Sequence, residues 1–233
     1  MLSLSLVIPV FNEAANLAPL ARQMEGIERL GVREVVWVNN GSQDSSGSEL
    51  HALATDFSFF RVVRLERNQG YGGGVRAGIQ AADSRSTHIA WIPADGQVSV
   101  EDLLAVWTWA QTCPDDVHKG WRIGREDSTV SRTVSLTYSW MARQILGLGV
   151  RDVNALPKIF PANLLKHAAA HACDSNGFAF DAEMLLAAKR SQIRIREHAV
   201  FFHSRRSGKS SWSDLRWKTY FQVARSLWRL RFH

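Results

Sequence analysis

Apolar residues along this 233-residue chain come in short unbroken runs, each closed by a polar or glycine-bearing turn and followed by a helical repeat. The first run spans 3–10 and gives way to Phe11-Asn12-Glu13; apolar positions then recur at Leu17, Leu20, Met24 and Ile27, the spacing of one helix face. A second run at 34–38 breaks at Asn39-Asn40-Gly41-Ser42-Gln43-Asp44, and 45–54 can form another helix. The third unit is a strand over 59–65, a glycine-rich turn over 68–74 and a helix over 75–82. Strands buried on both faces of a parallel sheet read as unbroken apolar runs. Three repeats of strand, polar turn and helix therefore predict an α/β domain with a mostly parallel sheet, helices on both faces and right-handed crossovers.

The run at 87–97 predicts a strand that stops abruptly at an acid, Asp95. Ligands of such sheets bind beyond the carboxyl ends of the strands, where a carboxylate can meet a metal-bound diphosphate, although an ordinary turn accounts for this stretch equally well. Further on, 101–111 predicts a helix presenting Leu103, Leu104, Trp107 and Ala110, and 120–124 a strand carrying Arg122 towards Arg125. A helix over 131–147, a loop and short strand over 152–160 with Asp152 and Lys158 as its notable polar residues, a helix ending near Arg190 and a late strand over 193–202 complete the domain.

Gly72, Gly74 and Ala77 have the G-x-G-x-x-A spacing of a dinucleotide fingerprint, but they follow the third strand, and no acid closes the next strand at about the twenty residues required. The glycines instead let backbone lie close to a ligand or to a neighbouring strand. His167 and His171, near Cys173 and Asp174, have i, i+4 spacing, yet no further ligand spacing supports a metal site, and a helix with two partly exposed histidines is the expectation.

Composition narrows the classes. The apolar fraction of 45% excludes disorder, and two distant cysteines, Cys113 and Cys173, give neither a disulfide framework nor a zinc signature. The first ten residues lack a basic leader, and no apolar run approaches the roughly twenty residues needed to cross a bilayer, so a soluble or membrane-surface protein is expected. The net charge of +6 is uneven: from Arg190 onward nine Arg and two Lys face one Glu and one Asp, +9 against −3 for the rest. Such a tail can serve nucleic acid, anionic lipid or a phosphorylated substrate.

Taken in order, the motifs resemble the inverting nucleotide-sugar glycosyltransferases of family 2 with the GT-A fold, and among them the dolichyl- and polyprenyl-phosphate mannosyl- and glucosyltransferases. Val7-Ile8-Pro9-Val10-Phe11-Asn12-Glu13 is similar to V-I-P-x-[YF]-N-E, Val38-Asn39-Asn40-Gly41-Ser42-Gln43-Asp44 to V-D-[DN]-G-S-x-D, and Ala94-Asp95-Gly96-Gln97 to the end of D-A-D-[GL]-Q. The stretch from Asn68 through Gly70 to Gly78 resembles N-x-G-x-G-x-A-x-x-x-G; 152–160 resembles D-x-[NT]-x-x-x-K-[IL]-F, 177–183 G-F-x-[FL]-D-x-E, and 206–210 R-x-G-[KE]-S.

The resemblance implies that Pro9, Phe11, Glu13, Asn39, Gly41, Ser42, Asn68 and Gly70 hold the nucleotide sugar. It implies that Asp95 binds Mg²⁺ or Mn²⁺ on the donor diphosphate with Gln97 beside it, that Arg206 and Lys209 grip phosphate, and that Asp152 lies near the acceptor. Pro93 stands where the first acid of the metal motif is usual, leaving Asp95 as its one carboxylate, and Asn39 stands where an acid usually helps hold the base.

A GT-A domain over 1–211 is expected, with a basic amphipathic helix over 212–233 in which Trp217, Tyr220, Phe221, Ala224, Leu227 and Trp228 share one face and Lys218, Arg225 and Arg229 the other. That helix suits an anionic membrane surface, the domain itself or a second subunit in a homo-oligomer equally well. The reading is a hexosyltransferase working from a UDP- or GDP-sugar onto a polyprenyl phosphate at the cytoplasmic membrane face. Transfer to a soluble saccharide, or a catalytically silent nucleotide-sugar-binding subunit, are the alternatives, and no nucleic-acid partner is expected.

Overall fold

The structure is a computed structural model that describes residues 1–172, 177, 179–205 and 217–232, without the side chains of 130 and 217–224. Among the described residues seven strands form one sheet in the order β3-β2-β1-β4-β6-β5-β7. They are β1 (Leu4–Val10), β2 (Val32–Asn40), β3 (Phe60–Leu65), β4 (His88–Trp91), β5 (Val117–Ile123), β6 (Lys158–Pro161) and β7 (Ile195–Phe201). The helices are α1 (Ala14–Arg22), α2 (Ser46–Asp56), α3 (Gly70–Ala81), α4 (Val100–Thr112), α5 (Thr129–Leu146), α6 (Ala162–Ala170), α7 (Phe180–Arg190) and α8 (Trp217–Phe232).

Strand β6 pairs antiparallel with both β4 and β5, and every other pairing is parallel. Its reversal brings the start of β6 and the loop before it to the edge where β4 ends, with Lys158 opposite Trp91. On β1, an interior strand, Leu6, Val7 and Ile8 are all fully buried. Successive strand side chains point to opposite faces, so both faces of the sheet are covered, as the unbroken apolar runs predict.

Three boundaries differ from the sequence expectation. Helix α1 ends at Arg22, and Met24 and Ile27 reach the core through a turn closed by Gly26 at φ +80°. Asn39 and Asn40 belong to β2 rather than to the turn after it. The stretch over 68–74 is not one continuous turn, because α3 starts at Gly70. The glycines serve the close packing of this helix: a Cβ on Gly74 would lie 3.0 Å from Asn40 Nδ2, and one on Gly78 2.2 Å from Val7 Cγ1 and 2.9 Å from Val38 Cγ2. The helix thus lies closer on β1 and β2 than any side chain allows.

At the far end α8 packs on α5, burying Leu227 and Leu230, while Trp228 is 55% exposed. Leu227 and Trp228 therefore do not share a face as expected. The i, i+3 pair of leucines turns inward; Arg231 Nη1 ties α8 to α5 by donating to the Ile145 carbonyl, and Arg190 Nη2 of α7 donates to the Leu230 carbonyl of α8. No helix among the described residues is long and apolar enough to cross a membrane.

Candidate active site

The ends of β1, β2 and β3 build one wall from short polar side chains that bond backbone. Asn39 Oδ1 accepts the Ser42 N–H at 2.9 Å, and Asn12, at φ +56°, accepts the Gln43 N–H at 2.8 Å while its own N–H reaches Ser42 Oγ at 3.1 Å. Asn40 faces the next turn, with Nδ2 donating to the Gly70 carbonyl at 2.9 Å and Oδ1 accepting the Gln69 N–H at 3.0 Å. Asn68 Oδ1 in turn accepts the Gly70 N–H at 2.7 Å. Gly41 sits between these asparagine anchors at φ +72°, with the backbone of Arg67 and Asn68 where a Cβ would go. Pro9 closes β1 and Phe11 projects from its end, 40% exposed. The structure thus brings Pro9, Phe11, Asn39, Gly41, Ser42, Asn68 and Gly70 to one side of the sheet edge.

Beside this wall lies a pair of carboxylates, Asp95 buried and Glu13 half-buried. Glu13 opens α1 with its N–H on Ser46 Oγ at 3.0 Å, and its Oε2 accepts from Asn16 Nδ2. Asp95 follows β4, with Oδ1 accepting the Gln97 N–H at 3.0 Å. The guanidinium of Arg205 joins them, Nη2 contacting Glu13 Oε1 and standing 3.6 Å from Asp95 Oδ2. Burial raises both carboxyls above their usual range; the Arg205 charge pulls each back, and the charge of Asp95 adds to the rise at Glu13. Gln97 is beside Asp95 as expected, its carbonyl accepting the His203 N–H at 3.1 Å.

Asp152 belongs to a second cluster. Arg122 holds it in a fork, Nε to Oδ2 at 2.7 Å and Nη2 to Oδ1 at 2.8 Å, and Arg125 approaches to 4.0 Å while pairing with Asp127. Ser135 of α5 also contacts the Arg122 guanidinium. Burial works against ionisation of Asp152, but Arg122 outweighs it and keeps the carboxyl below its usual range. Phe202 stacks under both arginines at 4.8 and 5.5 Å. Residues 202–205 therefore touch both clusters, Phe202 at Arg122 and Arg125, His203 at Gln97, Ser204 at Glu126 and Arg205 at Glu13 and Asp95.

Behind Asp95 a buried network fixes β4. Lys158, fully buried, pairs with Asp181 of α7 at 3.1 Å, and Trp91 Nε1 donates to Tyr71 Oη at 3.0 Å and to Asp181 Oδ1 at 3.3 Å. Burial brings the Lys158 ammonium down to about 8, even with Asp181 opposing the fall.

Sequence reasoning missed Arg205, Ser135 and Tyr71 as residues at or behind the site. Arg205 is next to Arg206, which the motif singles out; Arg206 and Lys209 lie outside the described residues. The two carboxylates Glu13 and Asp95 are hard oxygen donors of the kind Mg²⁺ or Mn²⁺ takes together with substrate phosphate oxygens, and in that sense they fit such a cation. His167 and His171 stand with rings 4.4 Å apart on α6 and its cap, and Cys173 and Asp174 lie outside the described residues.

Comparison with known proteins gives a consistent picture. The family model described as glycosyl transferase family 2 matches residues 5–178. The chain is 28% identical over 169 residues to the dodecaprenyl-phosphate galacturonate synthase of Rhizobium johnstonii, covering 71% of this chain and 49% of that protein. It is 24% identical over 218 residues to the undecaprenyl-phosphate mannosyltransferase of Micrococcus luteus, covering 89% and 86%. The chain thus spans about half the length of the first of these curated relatives. Among solved structures, glucosyl-3-phosphoglycerate synthase from Mycobacterium tuberculosis, in complex with Mn²⁺, UDP and glucosyl-3-phosphoglycerate, superposes with a TM-score of 0.69 at 16% identity, over 99% of this chain and 80% of that one.

Proposed function

The chain belongs to glycosyl transferase family 2, and on that premise we propose that it moves a hexose from a UDP- or GDP-linked donor to a polyprenyl or dolichyl phosphate, with inversion, at the cytoplasmic face of a membrane. The observation that carries the acceptor class is the fork of Arg122 on Asp152. A carboxylate locked in that way, with its proton affinity lowered, is poorly suited to take a proton from a sugar hydroxyl. A phosphate acceptor is already ionised near neutral pH and asks only to be positioned. The relatives named as polyprenyl-phosphate sugar transferases support the same acceptor.

In this reading Pro9, Phe11, Asn39, Gly41, Ser42, Asn68 and Gly70 hold the nucleoside and sugar, with Glu13 and Gln97 at the diphosphate. Asp95 and Glu13 would hold Mg²⁺ or Mn²⁺, which when bound stabilises the charge on the departing nucleotide. Arg206 and Lys209 grip phosphate, and Asp152 with its arginines orients the acceptor. In this division 1–211 is the catalytic unit and 212–233 an appendage that includes α8. Its outward Trp228 and Phe232, beside Arg225 and Arg229, offer an aromatic and basic surface to anionic lipid.

The test is to incubate purified protein with labelled UDP- and GDP-sugars, Mg²⁺ or Mn²⁺, and polyprenyl phosphate in detergent, then to count the organic phase. Cation-dependent label in the lipid is the expected result. Transfer only to a soluble saccharide, or donor binding without turnover, would overturn the acceptor assignment or the activity.

A further inference from the structure

Resting on the donor reading above, we infer that Arg205 and the divalent cation compete for the same carboxylate pair, so that Arg205 sets how tightly the cation binds before the nucleotide arrives. Glu13 and Asp95 come from opposite ends of the first half of the chain, and each side chain is about one-eighth exposed, at 12%. Two carboxylates side by side in a largely enclosed site repel one another unless a cation stands beside them or one takes up a proton. In this structure the guanidinium of Arg205 provides it, contacting Glu13 Oε1 and standing 3.6 Å from Asp95 Oδ2.

The geometry makes the two cations alternatives. Asp95 Oδ1 accepts the Gln97 N–H and Oδ2 faces Arg205, so a metal ion held by Asp95 and Glu13 together would compete with the guanidinium for the space between them. A metal in that space and a guanidinium beside it would repel each other at short range. The residue two before Asp95 is Pro93, which adds no further carboxylate to attract a doubly charged ion over a singly charged one. The donor diphosphate changes the balance, because its oxygens give Arg205 an anionic partner elsewhere and complete the metal's shell. Cation and nucleotide should therefore bind with positive coupling, each strengthening the other by one factor.

Mn²⁺ binding, read from the loss of the free-ion paramagnetic resonance signal, tests this on the full chain without any turnover. With Mn²⁺ alone, Arg205→Gln should bind about tenfold tighter than wild type, while Arg205→Lys, which keeps the charge, stays close to wild type. Asp95→Asn should lose the binding in either background. In wild type, UDP or GDP should tighten Mn²⁺, and that gain should shrink in Arg205→Gln. Equal or weaker Mn²⁺ binding by Arg205→Gln would overturn the inference. So would a wild-type affinity indifferent to both nucleotides, a measurement that stands even where the variant fails to fold. A protein that shows the competition yet labels no lipid would keep this inference and end the acceptor reading; lipid transfer without the competition would do the reverse.

Discussion

Replacing Gly41 by alanine should damage both the stability and the donor wall, and the cost can be built from two parts. Its φ of +72° is left-handed backbone, which costs an L-residue roughly 1–2 kcal/mol. The new Cβ would also lie 2.5 Å from Arg67 C, 2.6 Å from Asn68 N and 2.8 Å from Arg67 Cα. These are backbone atoms with no rotamer to yield, so the 67–70 segment must move, at a further cost of about 1–3 kcal/mol. Gly26 supplies the control, since it has φ +80° and nothing within 4 Å of its would-be Cβ. Gly26→Ala should then cost about 1–2 kcal/mol and Gly41→Ala about 2–5 kcal/mol. Urea denaturation with unchanged m-values reads the difference, and titration with UDP- or GDP-sugar reads its effect on the Asn40, Asn68 and Gly70 hydrogen bonds. If the two variants differ by less than about 0.5 kcal/mol, the clash is relieved without cost and the argument from close approach is wrong.

Removing the partner of a buried charge is a different kind of perturbation: Asp181→Asn should destabilise by about 3–5 kcal/mol by stranding Lys158, and Lys158→Met in the same background should recover much of the loss in urea melts. The lowered Lys158 value of about 8, against an ordinary 10.5, means that between these pH values the unfolded chain keeps a proton that the folded one has released. Stability from this group therefore rises with pH across that window, and the rise should disappear in Lys158→Met when urea midpoints at pH 8 and 10 are compared. Asp152→Asn should lower transfer to lipid phosphate by about a hundredfold through misplacement of Arg122, with donor affinity unchanged; a parallel loss of donor affinity would show that the two clusters are not separable.

The order of strands and helices was legible because β1 and β2 are buried enough to leave apolar runs in the sequence, while the edge strand β3, with Arg61 and Arg64 exposed, still interleaves them with Phe60, Val62, Val63 and Leu65. The start of α3 was not. Its glycines look like turn residues, and what makes Gly78 necessary is Val7, seventy-one positions earlier in the chain. Asp95, Glu13, Asn39 and Asn68 could be singled out because their motifs lie at or just beyond the ends of strands, and the structure places them along one edge of the sheet. Arg205 was missed because its partner Glu13 is 192 residues away and no local pattern distinguishes it from its neighbour Arg206. The fork of Arg122 on Asp152, 30 residues apart, and the inward turn of Leu227 and Leu230, decided by the packing of α8 on α5, are likewise tertiary contacts that no local pattern encodes.

The segment after β7 has a mechanical meaning as well. Phe202 lies under the arginines of one cluster, and Arg205 ends between the carboxylates of the other, with three peptide links between them. A chain of that length spans at most about 11 Å. The two clusters are thus leashed to one another: the backbone at Arg205 cannot move further than that length from the backbone at Phe202. A longer displacement between the two clusters would need extra residues in this short tether.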